Sequence, residues 1–280
     1  MMLVHVFKRW VRRYIISFFV MGFLCIMVRT GYPVYASQKA LTELPEQVTI
    51  VKNEKQMINR IIKGMKKHQS YFSFYYPGIG KDFVRYGRQS RTYAAFMDKL
   101  AAKNGYLTGI LSGTCITICG EAEQYVTFQF YYLTTKAQER KIDKKVKAIV
   151  RRFKKGSAAA GAKQAHDYLI RKMRYDAGYY SPYDAFTKGR GLCMSYALAY
   201  QRILQEMQIP CVYVKGSNHA WNMVKIGKYW YNVDVTWDDS RGGGYRYFLK
   251  SDKDFPNHKR PKSAWLSSLK KAKFSYKLQK

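Results

Sequence analysis

Acidic residues are scarce in this chain. Eighteen Asp and Glu stand against 50 Lys and Arg in 280 residues, for a formal net charge of +32. A balance that basic points to polyanions as partners. No nucleic-acid-binding module accompanies the charge, so nucleic acid is the disfavoured polyanion. Cysteines are also few, five in all, with no C-x-x-C pair and no disulfide-framework spacing. Cys115 and Cys119, on one expected strand, are roughly 13 Å apart at ~3.3 Å per residue, too far to bridge each other. The apolar run Tyr14–Val28 is short for a membrane span.

The first 36 residues stand apart. Lys8, Arg9, Arg12 and Arg13 form a basic region, the apolar run follows, and Val34-Tyr35-Ala36 offers a cleavage site before Ser37. That order is the pattern of a secretory signal. It predicts a secreted or extracellular-surface protein, or a membrane-anchored one where the segment is retained. Gly22-Phe23-Leu24 lacks the small residues that lipid attachment at Cys25 would need. For an exported chain, anionic wall polymers or lipid head groups are the expected polyanions, beside the plainer reading of a solvated basic surface.

What is present centres on Gly191–Asp239. From Cys193, the residues Tyr196, Ala197, Tyr200, Ile203, Leu204 and Met207 recur at three-and-four spacing, which predicts a helix with one buried face. Gly191 allows a tight approach and Pro210 stops the chain afterwards. Cys193 then sits at a helix N-terminus, where unpaired N–H groups and the macrodipole favour a thiolate. Val212–Gly216, Ala220–Ile226 and Tyr229–Trp237 read as strands. A four-residue loop, Lys225–Lys228, would pair Val224 with Tyr229 and set His219 directly opposite Asp234. The carboxylate would then orient the imidazole, as in a Cys-His-Asp triad.

These residues resemble a known family. G-x-C-x-x-Y-A at Gly191–Ala197, HAWN at His219–Asn222 and VDVTWDD at Val233–Asp239 are similar to the transglutaminase-like superfamily, in its secreted bacterial branch. The likeness extends upstream through His166–Asp176 and weakly downstream through Tyr247–Asp252. Covering roughly the last half of the chain, it implies an α+β fold: a papain-like transglutaminase core, with the nucleophile's helix packed on an antiparallel sheet; residues 37–155 read on their own as a preceding α/β N-terminal region. The likeness also implies Cys193 as nucleophile, His219 as general base, Asp234 as third member, and no cofactor. The implied activity is acyl transfer on protein or peptide amides. An amine resolving the thioester gives cross-linking; water gives protease or amidase activity. A non-catalytic, wall-binding module on the same fold is the alternative from another class.

The expected organisation is a leader over 1–36, an N-terminal α/β region over 37–155, a catalytic domain over 156–255 and a basic tail over 256–280. In the N-terminal region, Asn53 caps a helix with Met57, Ile58, Ile61, Ile62 and Met65 inward. Tyr71–Tyr76 is a strand, Thr92–Lys103 a helix, and Tyr106–Cys119 and Tyr125–Leu133 a hairpin across 120–124. Ile142, Val146, Ile149, Val150 and Phe153 mark a helix with a wet basic face. Gly156–Gly161 marks the boundary. The sequence leaves open whether the tail packs.

Other chemistry-bearing residues have plainer readings. His166 lies on an apolar helical face and reads as a packed, satisfied histidine. Tyr183 is a candidate oxyanion donor but reads first as structural. Cys211 opens an apolar strand. Zinc through Cys193, Cys211 and His219 lacks a close ligand pair and leaves Asp234 without a role. Trp221, Trp230 and Trp237 fill the hairpin faces or wall an acyl groove. Asp238 and Asp239 read as a turn at the strand's end rather than a cation site.

Overall fold

A computed structural model describes residues 25–26, 48–76, 89–119, 125–240 and 242–278. The leader lies outside them, apart from Cys25–Ile26, a two-residue strand (β1). The loop expected over 120–124 lies outside them too. Among the described residues, no helix is long and apolar enough to cross a membrane.

The N-terminal half follows its periodicities. It runs β2 (Thr49–Ile50), α1 (Glu54–Met65), β3 (Tyr71–Tyr75), α2 (Gln89–Gly109), β4 (Leu111–Cys119), β5 (Tyr125–Tyr132) and α3 (Lys136–Val150). The strands form one sheet in the order β1-β4-β5-β3-β2, antiparallel except for β2 beside β3. Asn53 caps α1 through Oδ1, which accepts the Gln56 N–H at 3.0 Å. Met57, Ile58, Ile61 and Met65 face inward, against Phe72, Phe74, Phe128 and Phe130. Burying each such side chain contributes about 1.5–3 kcal/mol. The expected strand from Tyr106 is corrected: residues 106–109 are helical and β4 starts at Leu111. Asn104 breaks α2 with extended backbone (φ −159°), and its Oδ1 then accepts the Leu107 N–H, restarting the helix for one more turn.

The C-terminal half holds α4 (Ala158–Lys172), β6 (Arg174–Tyr175), α5 (Pro182–Lys188), β7 (Arg190–Gly191), α6 (Cys193–Glu206), β8 (Cys211–Lys215), β9 (Ala220–Ile226), β10 (Tyr229–Val233), α7 (Val235–Ser240) and α8 (Ala264–Ser268). The antiparallel sheet β10-β9-β8 packs against α6. That helix is buried on more than its predicted face. Met194, Ala197 and Leu198 join the core of the N-terminal sheet, while Tyr196, Tyr200, Ile203 and Leu204 join a second core with α3 and α4. A helix enclosed between two layers needs apolar residues nearly all round. The whole is an α+β fold whose two halves share α6.

Two expectations about the hairpin change. Ile226 pairs with Tyr229 across a two-residue loop, Gly227-Lys228, and Gly227 has a φ of 59°. Glycine at the first position of a two-residue turn suits the twist of a hairpin, so the tight turn displaces the expected four-residue loop. The register therefore moves by two residues: Val224 faces Tyr231, and His219 and Asp234 lie beyond the paired ends of β9 and β10. A shift of two preserves the face, since side chains alternate with period two. The strand also ends at Val233 rather than Trp237, because Asp234 turns the chain into α7. Asp238 and Asp239 thus sit in a helix, not in a turn after a strand.

The basic tail packs. Lys270 O accepts the Trp230 N–H and Trp230 O accepts the Ala272 N–H, each at 2.9 Å, and Tyr276 N–H reaches Leu249 O. Leu266 is buried with Val212, Val214, Trp221 and Met223 on the sheet face turned away from α6.

Candidate active site

Cys193 is the first residue of α6. Leu192, at the N-cap, makes no side-chain hydrogen bond to the helix. The start of α6 therefore lacks the side-chain acceptor that usually satisfies N-terminal N–H groups. Gly191 is needed for space, not for its φ: a Cβ there would lie 2.3 Å from the Ser195 Cβ. Ser195 Oγ donates to Tyr179 O at 3.1 Å, tying this turn to the preceding loop.

His219 closes the turn between β8 and β9, its carbonyl accepting the Gly216 N–H at 2.8 Å. Its Nε2 lies 2.8 Å from Asp234 Oδ2, and Cys193 lies close enough to favour the charged ring. Since Nε2 is committed to the carboxylate, Nδ1 is the nitrogen left for the thiol. Burial, the largest single influence, works against a charged ring. The hydrogen bond to Asp234 and the nearby Cys193, with their charges, outweigh it and push His219 up to about 9.

Asp234 is 1 % exposed and all its acceptor capacity is used. Oδ1 accepts the N–H groups of Thr236 (3.0 Å) and Trp237 (3.1 Å) at the first turn of α7. Oδ2 lies 2.8 Å from His219 Nε2 and 2.8 Å from Nε2 of a second histidine, His258. Burial opposes the charged carboxylate, but the hydrogen bonds from the two histidines hold it below the usual range. Asn222, of the HAWN block, donates through Nδ2 to Ala197 O at 3.0 Å and Val212 O at 3.3 Å. It thereby fixes β9 to the middle of α6, the distance on which the Cys–His approach depends.

The structure thus brings together Cys193, His219 and Asp234, the three residues that the sequence singled out. It adds His258, which sequence reasoning passed over. His258 lies in a basic stretch without helical or strand periodicity, 24 residues beyond Asp234. A histidine one residue after an Asn in a loop carries no local signal of its partner.

Other candidates are placed elsewhere. His166 is fully buried, with Nε2 2.9 Å from Asp238 Oδ2 and Nδ1 3.3 Å from Asp167 Oδ1, a satisfied core histidine. Tyr183 packs with the second core, apart from the cluster that holds Cys193. Cys211 also packs there, and burial pushes its thiol well up, so it is not brought to Cys193 as a zinc ligand would be. Cys115, Cys193 and Cys211 form no disulfide. Trp221 is core, 1 % exposed, whereas Trp237 lies 5.1 Å from the His219 ring and 4.3 Å from His258. Asp239 accepts the Tyr196 hydroxyl. One ligand atom each from His219, Asp234 and His258 lie within 4.8 Å of one another, close enough to hold a metal ion. The hydrogen bonds among them account for that closeness.

Residues 145–235 match the family described as the transglutaminase-like superfamily. A comparison with curated proteins returns no match. Among solved structures, the chain is similar to a candidate cysteine protease from Cytophaga hutchinsonii, at 18% identity and a TM-score of 0.30. That likeness covers 40% of this chain and 52% of the other. It is also similar to a structure described as a TGase, at 14% identity and a TM-score of 0.36, over 76% of this chain and 65% of the other. The chain thus spans between half and two thirds of the length of these relatives, and likeness at these scores is loose.

Proposed function

We propose that this chain, whose residues 145–235 form a transglutaminase-like domain, is a cysteine-dependent acyl-transfer enzyme acting on protein or peptide amides. The observation that carries the reading is His219 standing between Asp234 and Cys193 at the uncapped start of α6. His219 takes the Cys193 proton, and the thiolate sulfur attacks the amide carbonyl carbon. The oxyanion that forms is met by N–H groups of the first turn of α6, which no side chain caps. As the C–N bond breaks, His219 gives the proton to the leaving amine, and a thioester on Cys193 remains. A second amine attacking the thioester gives a cross-link; water gives a free carboxylate. Either way the sulfur leaves as thiolate and regains the imidazolium.

Export through residues 1–36 and a wall-associated amide substrate complete the reading, with the basic surface attracting anionic polymers. The test is incubation of the protein from Ser37 with glutamine-bearing peptides and a labelled primary amine, beside Cys193→Ala. Amine incorporation supports cross-linking, and ammonia or new carboxylates without incorporation support hydrolysis. No product with either, together with salt-sensitive wall binding unchanged in Cys193→Ala, would overturn it in favour of a binding module.

A further inference from the structure

Asp234 offers one oxygen to two histidines. His219 Nε2 and His258 Nε2 each lie 2.8 Å from Oδ2, whereas Oδ1 is occupied by the two N–H groups of α7. The carboxylate is held in place by those backbone donors and by its position between β10 and α7.

The surroundings of His258 are nonetheless built. Its side chain is fully buried. Its ring lies 3.8 Å from that of Phe255, 4.3 Å from Trp237, 5.0 Å from Trp221 and 5.7 Å from Tyr247, centroid to centroid. Nδ1 is 2.8 Å from Pro256 O. Both ring nitrogens therefore lie within hydrogen-bonding distance of oxygens. The segment is pressed onto the sheet beside it: a Cβ on Gly216 would lie 2.9 Å from Lys259 O. Next along the chain, Arg260 pairs with Asp252 and reaches Asn232 Oδ1 at 3.1 Å, so the chain just after the ring is held in place.

Resting on the acyl-transfer reading, we propose that His258 is a positioning residue that shares Asp234 Oδ2 with His219 and so limits how strongly the carboxylate holds the imidazolium. The titratable groups beside His258 are Asp234, His219 and Tyr247, with Cys193 beside the His219 ring. A donor on Oδ2 draws on the same lone-pair density that His219 uses. With that donor gone, Asp234 acts on His219 alone, and the His219 proton becomes harder to release. A base that must return its proton to a leaving amine works best with a pKa near the working pH, so sharing the carboxylate serves the second half of the reaction.

The test is nitrogen-15 NMR of the histidine side chains in the protein from Ser37. It compares the unaltered chain with His258→Gln, which keeps a neutral N–H donor, and His258→Leu, which keeps none. The titration midpoint of His219 is expected to rise in His258→Leu by on the order of one pH unit, the scale of one hydrogen bond to a charged group, and by less in His258→Gln. The His166 signals should stay unchanged and serve as the internal check of folding. A His258 Nε2 without a proton at neutral pH, or a His219 midpoint that stays or falls in a folded variant, would overturn the proposal. The readout does not depend on turnover. An inert Cys193 with the His219 shift still present would sink the acyl-transfer reading and leave the shared carboxylate standing.

Discussion

Among the described residues of the C-terminal half, two buried histidine–carboxylate clusters differ in what their histidines meet. In the first, His166 has carboxylates on both nitrogens, Asp238 and Asp167, and is packed by Tyr245 and Phe248. Asp238 Oδ1 also accepts the Tyr247 N–H, and Tyr245 OH donates to Asp167. The bond from His166 Nε2 to Asp238 joins α4 to α7. In the second, His219 is tied to Asp234 through Nε2 alone, while its other side meets a thiol at the mouth of a helix. The His219 side chain keeps 17% exposure, against none for His166. A satisfied histidine staples; one whose second nitrogen faces a nucleophile can move a proton. The residue types are the same, and the partner on the far nitrogen decides.

The comparison breaks most sharply at His219. In His219→Ala, amide turnover is expected to fall by about 10²–10⁴-fold, the usual contribution of a positioned acid–base group, and Cys193 alkylation at neutral pH should slow with it. Single-residue alkylation rates by mass spectrometry check this. Equal Cys193 rates in both proteins would put the second cluster on the same footing as the first.

Asp238→Ala should do the reverse. It leaves His166 and the Tyr247 N–H buried without their acceptor. Breaking a buried pair of this kind costs about 3–5 kcal/mol. Urea unfolding should show that loss, while the Cys193 alkylation rate of the folded protein stays within twofold.

The pH dependence tests the ion pair of the second cluster next. Because the folded pKa of His219 is raised, from an ordinary 6.5 to about 9, its charged form is favoured by folding. That stabilisation is fully present below about 6.5 and is lost as the pH rises through about 9. Asp167 runs the other way. Burial opposes its charge, but hydrogen bonds from His166, Lys163 and Tyr245 outweigh that and hold it at about 2. Its contribution is present above the ordinary carboxylate range and is lost as the pH falls toward 2. Urea midpoints across pH should therefore show the gap between the unaltered chain and His219→Ala narrowing from pH 6.5 to 9. A constant gap would contradict the ion pair.

Tyr245→Phe is the mildest probe. It removes one hydroxyl donor to Asp167, which Lys163 also holds at 2.8 Å. A loss of about 1 kcal/mol is expected, with Cys193 reactivity untouched. Thermal melts and the same alkylation assay check both halves.

Much of this was legible in the chain itself. Asn53 as a cap, the inward face of α1, the alternation of β5 and the basic outer face of α3 follow from period and capping chemistry, which act over a few residues. So does Cys193 at a helix start. The expected direct opposition of His219 and Asp234 is not formed: both lie just beyond the paired strands, and a hydrogen bond between their side chains joins them instead. An apolar helical face likewise predicts the buried, partnered ring of His166.

What the tertiary structure alone decided lies at longer range. The turn at Gly227 replaced a plausible loop by a tighter one, and Asp234, by accepting two N–H groups, converted the end of an expected strand into α7. The tail's choice to pack rested on hydrogen bonds to Trp230 and Leu249 that no local pattern encodes. His258 reached Asp234 only because the loop carrying it folds back across the sheet. Periodicity and caps are set by neighbours in the chain and can be read from them. The second donor on a buried carboxylate is set by which distant surfaces close together, and that is determined only when the whole core packs.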